Sequence, residues 1–362
     1  MIFDISPNSR ALGSEEARKL DDDFFLSNPL AQFSSRIAML LEAHGSETVP
    51  TPENEKEFFS TLGLTSGENA LKFNKRDRQT QVAIDSLALR HQVAEALARI
   101  IHATSVAEPR DGDSRCVWLQ LADGPLKTSD VVGQNAKYLN AKTDRLLQLL
   151  FPVGTNLTKQ HFEAAESARS WINHSVHLLT NDELSANAAN NKMKHGLAVS
   201  ARDDIRIELF NEKPADIQRI PVSAFGKGKT IPLFDQPMLS YLNRPSVKPK
   251  MGWEVASLRV DLPVALAEAW MMANIHAAIF HVAALRHFEG KLPDGVGPYP
   301  SLVIGSSPEK IIGNKPIGYR STITLPPDGT TPPRPPGLLF HSVFIPMSFT
   351  PDSGTEGTIV AG

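Results

Sequence analysis

The chain of 362 residues has one cysteine, Cys116. No intrachain disulfide can form, so a disulfide-stapled scaffold is excluded and a reducing cytoplasm is the natural expectation. Charge of one sign is also lacking. With 37 basic and 40 acidic residues the formal net charge is -3. Residues 1–214 hold 24 Lys/Arg and 29 Asp/Glu, and residues 215–362 hold 13 and 11, so neither half carries a basic stripe. Nothing global draws such a chain to nucleic acid or anionic lipid. The polar N-terminus, MIFDISPNSRALGSEEARKL, has no apolar core and does not read as a signal peptide. There is no internal repeat and no sustained heptad pattern.

Long apolar runs are scarce. The single candidate, Leu262 to Leu285, carries Glu268, Asn274, His276 and His281 in its middle. One ionised side chain at a bilayer centre costs about 2.5–3.5 kcal/mol on insertion scales. A buried core helix explains the segment more cheaply, and no membrane partner is expected. With 41% hydrophobic and 21% charged residues, the composition fits a globular protein of two domains and excludes collagen or wholesale disorder.

What the chain does have is an uneven distribution of proline. Thirteen of its 27 prolines lie between Pro293 and Pro351. Upstream, helical spacing dominates. Asp21–His44 reads as a helix with Pro29 near its start. In residues 76–104, Ile84, Leu87, His91, Ala94, Ala98 and Ile101 form one helix face, with His91 a core histidine. Ser129–Leu150 and Thr158–Leu179 read as further helices. Thr180-Asn181-Asp182-Glu183 has the Thr-x-x-Glu capping pattern and should start a helix reaching about Val199, antiparallel to the one before it. Cys116–Leu121 reads as a short strand with a buried, inert thiol.

Near Asp203 the pattern changes to strand period in Ile205–Leu209. Ile220–Phe225 and Thr230–Phe234 read as a hairpin, and Trp253–Val260 as another strand. Asp261 and Pro263 suit the start of a helix that ends before Gly290. Short strands are expected at Leu302–Ile304, Ile317–Leu325 and Leu338–Phe344. The fold class is therefore α+β. A helical bundle over 1–202 should be followed by a smaller region, 203–362, with an antiparallel sheet, one long helix and a proline-rich tail.

Two apparent motifs dissolve on inspection. Gly226-Lys227-Gly228-Lys229-Thr230 lacks the first glycine of a phosphate loop, where Ser223 stands, and the proline after it denies the required helix. His276, His281 and His287 are spaced by five and six, which turns them about 140° and 120° apart on a helix, so they do not form a metal pair. No metal and no cofactor is expected.

The helix pair at 158–199 carries the chemistry. Glu166, Arg169, Asn173 and His177 fall within about 80° of arc on the first helix. Asn187, Asn191 and His195 form a ladder on the second. Buried amides and imidazoles must be hydrogen-bonded, so two adjacent polar faces could satisfy each other. A solvated polar face accounts for the same spacing.

Asn190-Asn191-Lys192-Met193-Lys194-His195-Gly196 resembles the Asn-x-x-Lys-His-Gly ending of HEPN-like and abortive-infection helical domains. Arg169-Ser170-Trp171-Ile172-Asn173-His174 resembles the HEPN pattern of Arg followed by His, and the resemblance spans residues 76–200. It implies a helical bundle in a homodimer that juxtaposes two Arg/His pairs. In a metal-independent endoribonuclease of that kind, Arg169 would stabilise phosphate charge. His174, or His177 on Arg169's own face, would transfer the proton during attack by the ribose 2′-OH. Asn187, Asn191, Lys194 and His195 would bind RNA or a protein partner. The other reading is a non-catalytic binding or scaffolding protein, related to defence or stress, with the C-terminal region as partner surface.

Overall fold

The computed structural model describes residues 11–46, 54–64, 71–109, 112–123, 126–142, 144–183, 186–194, 199–202, 207–210, 228–234, 237–244, 252–313, 315–324, 334–341 and 343–347. The fold is α+β, and its chain divides into two compact units, each drawn from three separate stretches. One comprises residues 1–38, 89–181 and 266–311; the other comprises 39–88, 182–265 and 312–362. The change of pattern near residue 203 is a change of secondary structure, whereas the packing units are threaded differently.

The first unit is helical. It contains α1 (Ser14–Phe25), the start of α2 (Pro29–Gly45), the later part of α4 (Lys75–Ser105), α5 (Val117–Ala122), α6 (Thr128–Ala141), α7 (Arg145–Leu150), α8 (Lys159–Thr180) and most of α10 (Leu262–His287). Its largest fully buried side chains include Phe25, Leu97, Ile100, Leu149, Leu150 and Trp171. The helix expected over Asp21–His44 is two helices. Pro29 opens the second, at the position where its missing N–H costs nothing, and Asn28 Oδ1 accepts the Ala31 N–H at 3.0 Å. The helix expected over 129–150 likewise breaks between α6 and α7.

Cys116–Leu121 is not a strand but the start of α5, and the cause lies far away in the chain. Asp21 on α1 accepts the N–H groups of Val117 and Trp118, each at 2.9 Å, and the Cys116 thiol at 3.3 Å. The carboxylate satisfies the first two free N–H groups of α5, and the N-cap residue Cys116 accepts that of Leu119 through its sulfur at 3.4 Å. Burial pushes the Cys116 thiol up to about 11, which suits an inert side chain.

α10 is apolar all round, long enough and apolar enough to cross a membrane, and mostly buried within the protein. That is the environment of a core helix. Asp261 Oδ1 accepts the Val264 N–H at 3.4 Å at its start. Gly290, with φ of 83°, closes its end by donating to Leu285 O at 2.7 Å. Only the first turn of α10 belongs to the unit that holds the sheet.

The second unit contains α3 (Glu55–Thr61), the first part of α4, α9 (Ala186–Lys194) and two antiparallel sheets. The larger has the order β1 (Ser200–Arg202), β4 (Met238–Asn243), β5 (Glu254–Arg259), β6 (Gly318–Thr322), β7 (Gly337–Leu339) and β8 (Phe344–Pro346). The smaller pairs β2 (Ile207–Phe210) with β3 (Thr230–Phe234). Alternation along β4 sends Leu239 and Tyr241 to one face. There they pack with Ala256, Leu258 and Leu339, covered by Ile84 and Leu87 of α4 and Ala189 of α9. Met238 faces the other way, with Leu233, Phe234 and Leu338.

Two strand expectations change. Ile220–Phe225 lies outside the described residues, and β3 pairs with β2. Leu302–Ile304 is not a strand. The run Leu338–Phe344 doubles back, so that Leu339 of β7 lies opposite Phe344 of β8. Gly337 allows this, because a Cβ there would collide with the Ile345 carbonyl and the Phe344 ring.

Replacing Asp21 by Ala strands the N-terminal donors of α5. The expected cost is about 2 kcal/mol, read from the urea midpoint of the full chain, with Asp21→Asn costing less because one acceptor remains.

Candidate functional site

On α8 the spacing of Ala165, Ala168, Trp171, Ile172, Ser175, Leu178 and Leu179 defines the buried arc, and His174 lies on it. His174 is 3% exposed and its ring meets the Trp171 indole edge to face, with centroids 5.6 Å apart. Arg169 lies about 140° away around the helix, at the surface, with its Nε 3.4 Å from Glu166 Oε1. The structure therefore does not bring Arg169 and His174 together within the chain. His177 is half-buried, and its Nε2 accepts the Asn181 amide at 3.2 Å.

What His174 meets instead is Glu268, from the second turn of the most apolar helix. Arg90 NH1 lies 3.0 Å from Glu268 Oε2, and His174 Nε2 lies 3.5 Å from the same oxygen. Glu268 is 1% exposed. Burial pushes its carboxyl up, but Arg90 and His174 together outweigh that and hold it below the ordinary carboxylate value. Three helices, α4, α8 and α10, thus contribute one group each to a buried charge cluster. Its guanidinium, carboxylate and imidazole could move a proton in a cleft, yet here they are packed away from solvent.

The expected Thr180–Glu183 capping box does not form. Thr180 Oγ1 donates to Val176 O at 2.8 Å, ending α8, and Glu183 Oε2 accepts Arg320 NH1 at 2.7 Å. α9 begins at Ala186 and belongs to the sheet-bearing unit, whereas α8 belongs to the helical one. On α9, Asn187 is half-buried and Asn191 and Lys194 are exposed; His195 lies outside the described residues. The asparagine that is buried is Asn190, next to Ala189, and its amide has no hydrogen-bond partner among the described residues.

A second charged cluster sits at one end of the sheet, on the face that holds Tyr241. Glu254 and Arg320 are 3% and 2% exposed. Arg334 pairs with both Glu254 oxygens, Asn243 donates to Oε1 at 3.2 Å, and Arg320 Nε lies 3.9 Å from Oε2. Arg320 also donates to Glu183 O and Pro335 O and lies 4.4 Å over the Phe344 ring. Arg334 reaches Asp182 O at 2.8 Å. Two arginines from the proline-rich region thereby fasten the 182–183 segment to the sheet. Burial pushes the Tyr241 hydroxyl up, with Glu254 adding to the effect, so it stays protonated. Sequence spacing held no sign of this cluster.

The α10 histidines go to three separate places. His276 packs against Phe33 and Phe280, and burial pushes its imidazole down to about 4. His281 Nδ1 lies 2.9 Å from Gly297 O, and His287 Nε2 lies 2.7 Å from Asp22 Oδ1. Among the described residues no three His, Cys, Asp or Glu side chains are grouped to hold a metal ion.

No protein-family model matches the chain, and neither a curated protein nor a solved structure matches it.

Removing one partner of the buried cluster leaves an uncompensated charge. Arg90→Met is expected to cost about 3–5 kcal/mol in urea unfolding, and Arg90→Met combined with Glu268→Leu should recover much of it. The pH limb is equally specific. Glu268 is held low in the fold, so its contribution is full above its unfolded value of about 4.3 and is lost as pH falls through the folded value. His276 drops from an ordinary 6.5 to about 4, so the unfolded chain takes up its proton first and stability declines across that window. His276→Phe should flatten the decline between pH 6.5 and 4, measured as urea midpoint against pH.

Proposed function

We propose that this is an intracellular, non-catalytic binding or scaffolding protein, built on a HEPN-like helical domain and acting in defence or stress. The observation that carries the reading is the placement of His174. An imidazole acting on a ribose hydroxyl must reach it within hydrogen-bond distance. His174 is instead buried beside Trp171 and Glu268, while Arg169 pairs with Glu166 at the surface. A histidine so engaged serves packing better than proton transfer.

Incubation of the purified full chain with single-stranded RNA, with chelator present, tests the reading. The expected result is intact RNA, together with a protein complex in pull-downs that survives Arg169→Ala and His177→Ala. RNA cleavage that is abolished by Arg169→Ala or His177→Ala in folded protein would overturn it and establish the endoribonuclease.

A further inference from the structure

A cavity of about 370 Å³ in the helical unit is lined by Asp21, Phe25, Arg115, Val117, Arg286 and His287. Its polar groups do not cancel. Among the described residues neither Arg115 nor Arg286 has a carboxylate partner within 4.0 Å. Each is tethered through one N–H to a backbone carbonyl, Arg115 to Thr104 at 3.0 Å and Arg286 to Gln148. A guanidinium has five N–H donors, so each retains several after the tether is made. The tether costs no charge and restricts the long side chain, which lowers the entropy lost when a ligand is held.

The acidic groups nearby are already engaged. Asp21 accepts from Val117, Trp118 and Cys116. Asp22 takes the Nε2–H of His287 at 2.7 Å, because a carboxylate can only accept. Among the described residues, two cations without a carboxylate partner therefore line one cavity, together with the apolar Phe25 and Val117.

We propose that this cavity binds the phosphate monoester of a small molecule, held between Arg115 and Arg286. A carboxylate offers two oxygens and is satisfied by one guanidinium fork. A phosphate monoester offers three terminal oxygens and close to two negative charges, which suits two forks supplied from α10 and from the segment before α5. The volume lies at the low end for ligand sites, so the rest of the molecule is small. The assignment shares no residue with Arg169, His174 or His177 and does not depend on the scaffolding reading.

Calorimetric titration of the full chain with inorganic phosphate, with 5′-AMP and with adenosine tests it. The phosphate-bearing probes should bind and adenosine should not. Tighter binding of 5′-AMP than of phosphate identifies an organic ester as the ligand, and equal binding identifies free phosphate. Arg115→Gln and Arg286→Gln should each weaken binding by about tenfold or more. Arg145→Gln should leave it unchanged, since that guanidinium lies 4.3 Å over the Tyr138 ring. Arg115→Lys and Arg286→Lys keep the charge without the fork and should fall between wild type and the Gln variants, with melting curves confirming the fold of each. No heat from either phosphate probe at about 10 mM, or unaltered affinity in the Arg115→Gln/Arg286→Gln double variant, overturns the proposal.

Discussion

The helical unit depends on keeping one carboxylate ionised where no water reaches it. Glu268 sits in the second turn of α10, a helix otherwise built to be surrounded by apolar side chains. A lone buried charge would cost far more than the helix could offset. Arg90 and His174 remove that cost only from the positions that α4 and α8 give them. The cluster therefore acts as a constraint on packing: sliding or rotating any one of the three helices would leave a charge unmatched. A hydrophobic core tolerates many near-equivalent packings, and a buried Arg90–Glu268 pair with an imidazole against the same oxygen tolerates few.

The sheet-bearing unit uses the same device differently. Glu254 lies on a strand, and its cations come from the proline-rich stretch, where little regular structure orders the chain. Each guanidinium there satisfies a carboxylate and backbone carbonyls together, so irregular segments gain hydrogen bonds that they do not make with themselves. The abundance of proline and the two arginines, Arg320 buried and Arg334 half-buried, fit together. Proline lacks an N–H but keeps its carbonyl, and Pro335 offers that carbonyl to Arg320.

How much was legible in the amino-acid pattern follows from how far each cause acts. The α10 boundaries were readable, because Asp261, Pro263 and Gly290 act on their own neighbours. The strand at β5 was readable from its composition, and β4 was not anticipated. α5 was misread as a strand because Asp21, which accepts its first two N–H groups, is nearly a hundred residues away. The Thr180–Glu183 pattern had the right residues, but Arg320 claims the glutamate. A spacing of five already turns His174 about 140° from Arg169, and the buried arc of α8, which includes Trp171, takes in His174 and leaves Arg169 out. Glu268 stood out as an acid in an apolar run, but no local rule could name partners on two other helices.

The threading of the chain has a further meaning for synthesis on the ribosome. Arg90 is separated by 178 residues from the carboxylate it meets. The helices up to α8 emerge with a guanidinium and an imidazole destined for the interior but without the carboxylate that both approach there. Until α10 has been made, that half-built bundle must either stay open or hold those groups in water. Both units take residues from beyond position 300, so neither can close early. Closure of the helical unit waits on the synthesis of α10, and a nascent form exposing apolar helix faces would be a natural client for chaperones.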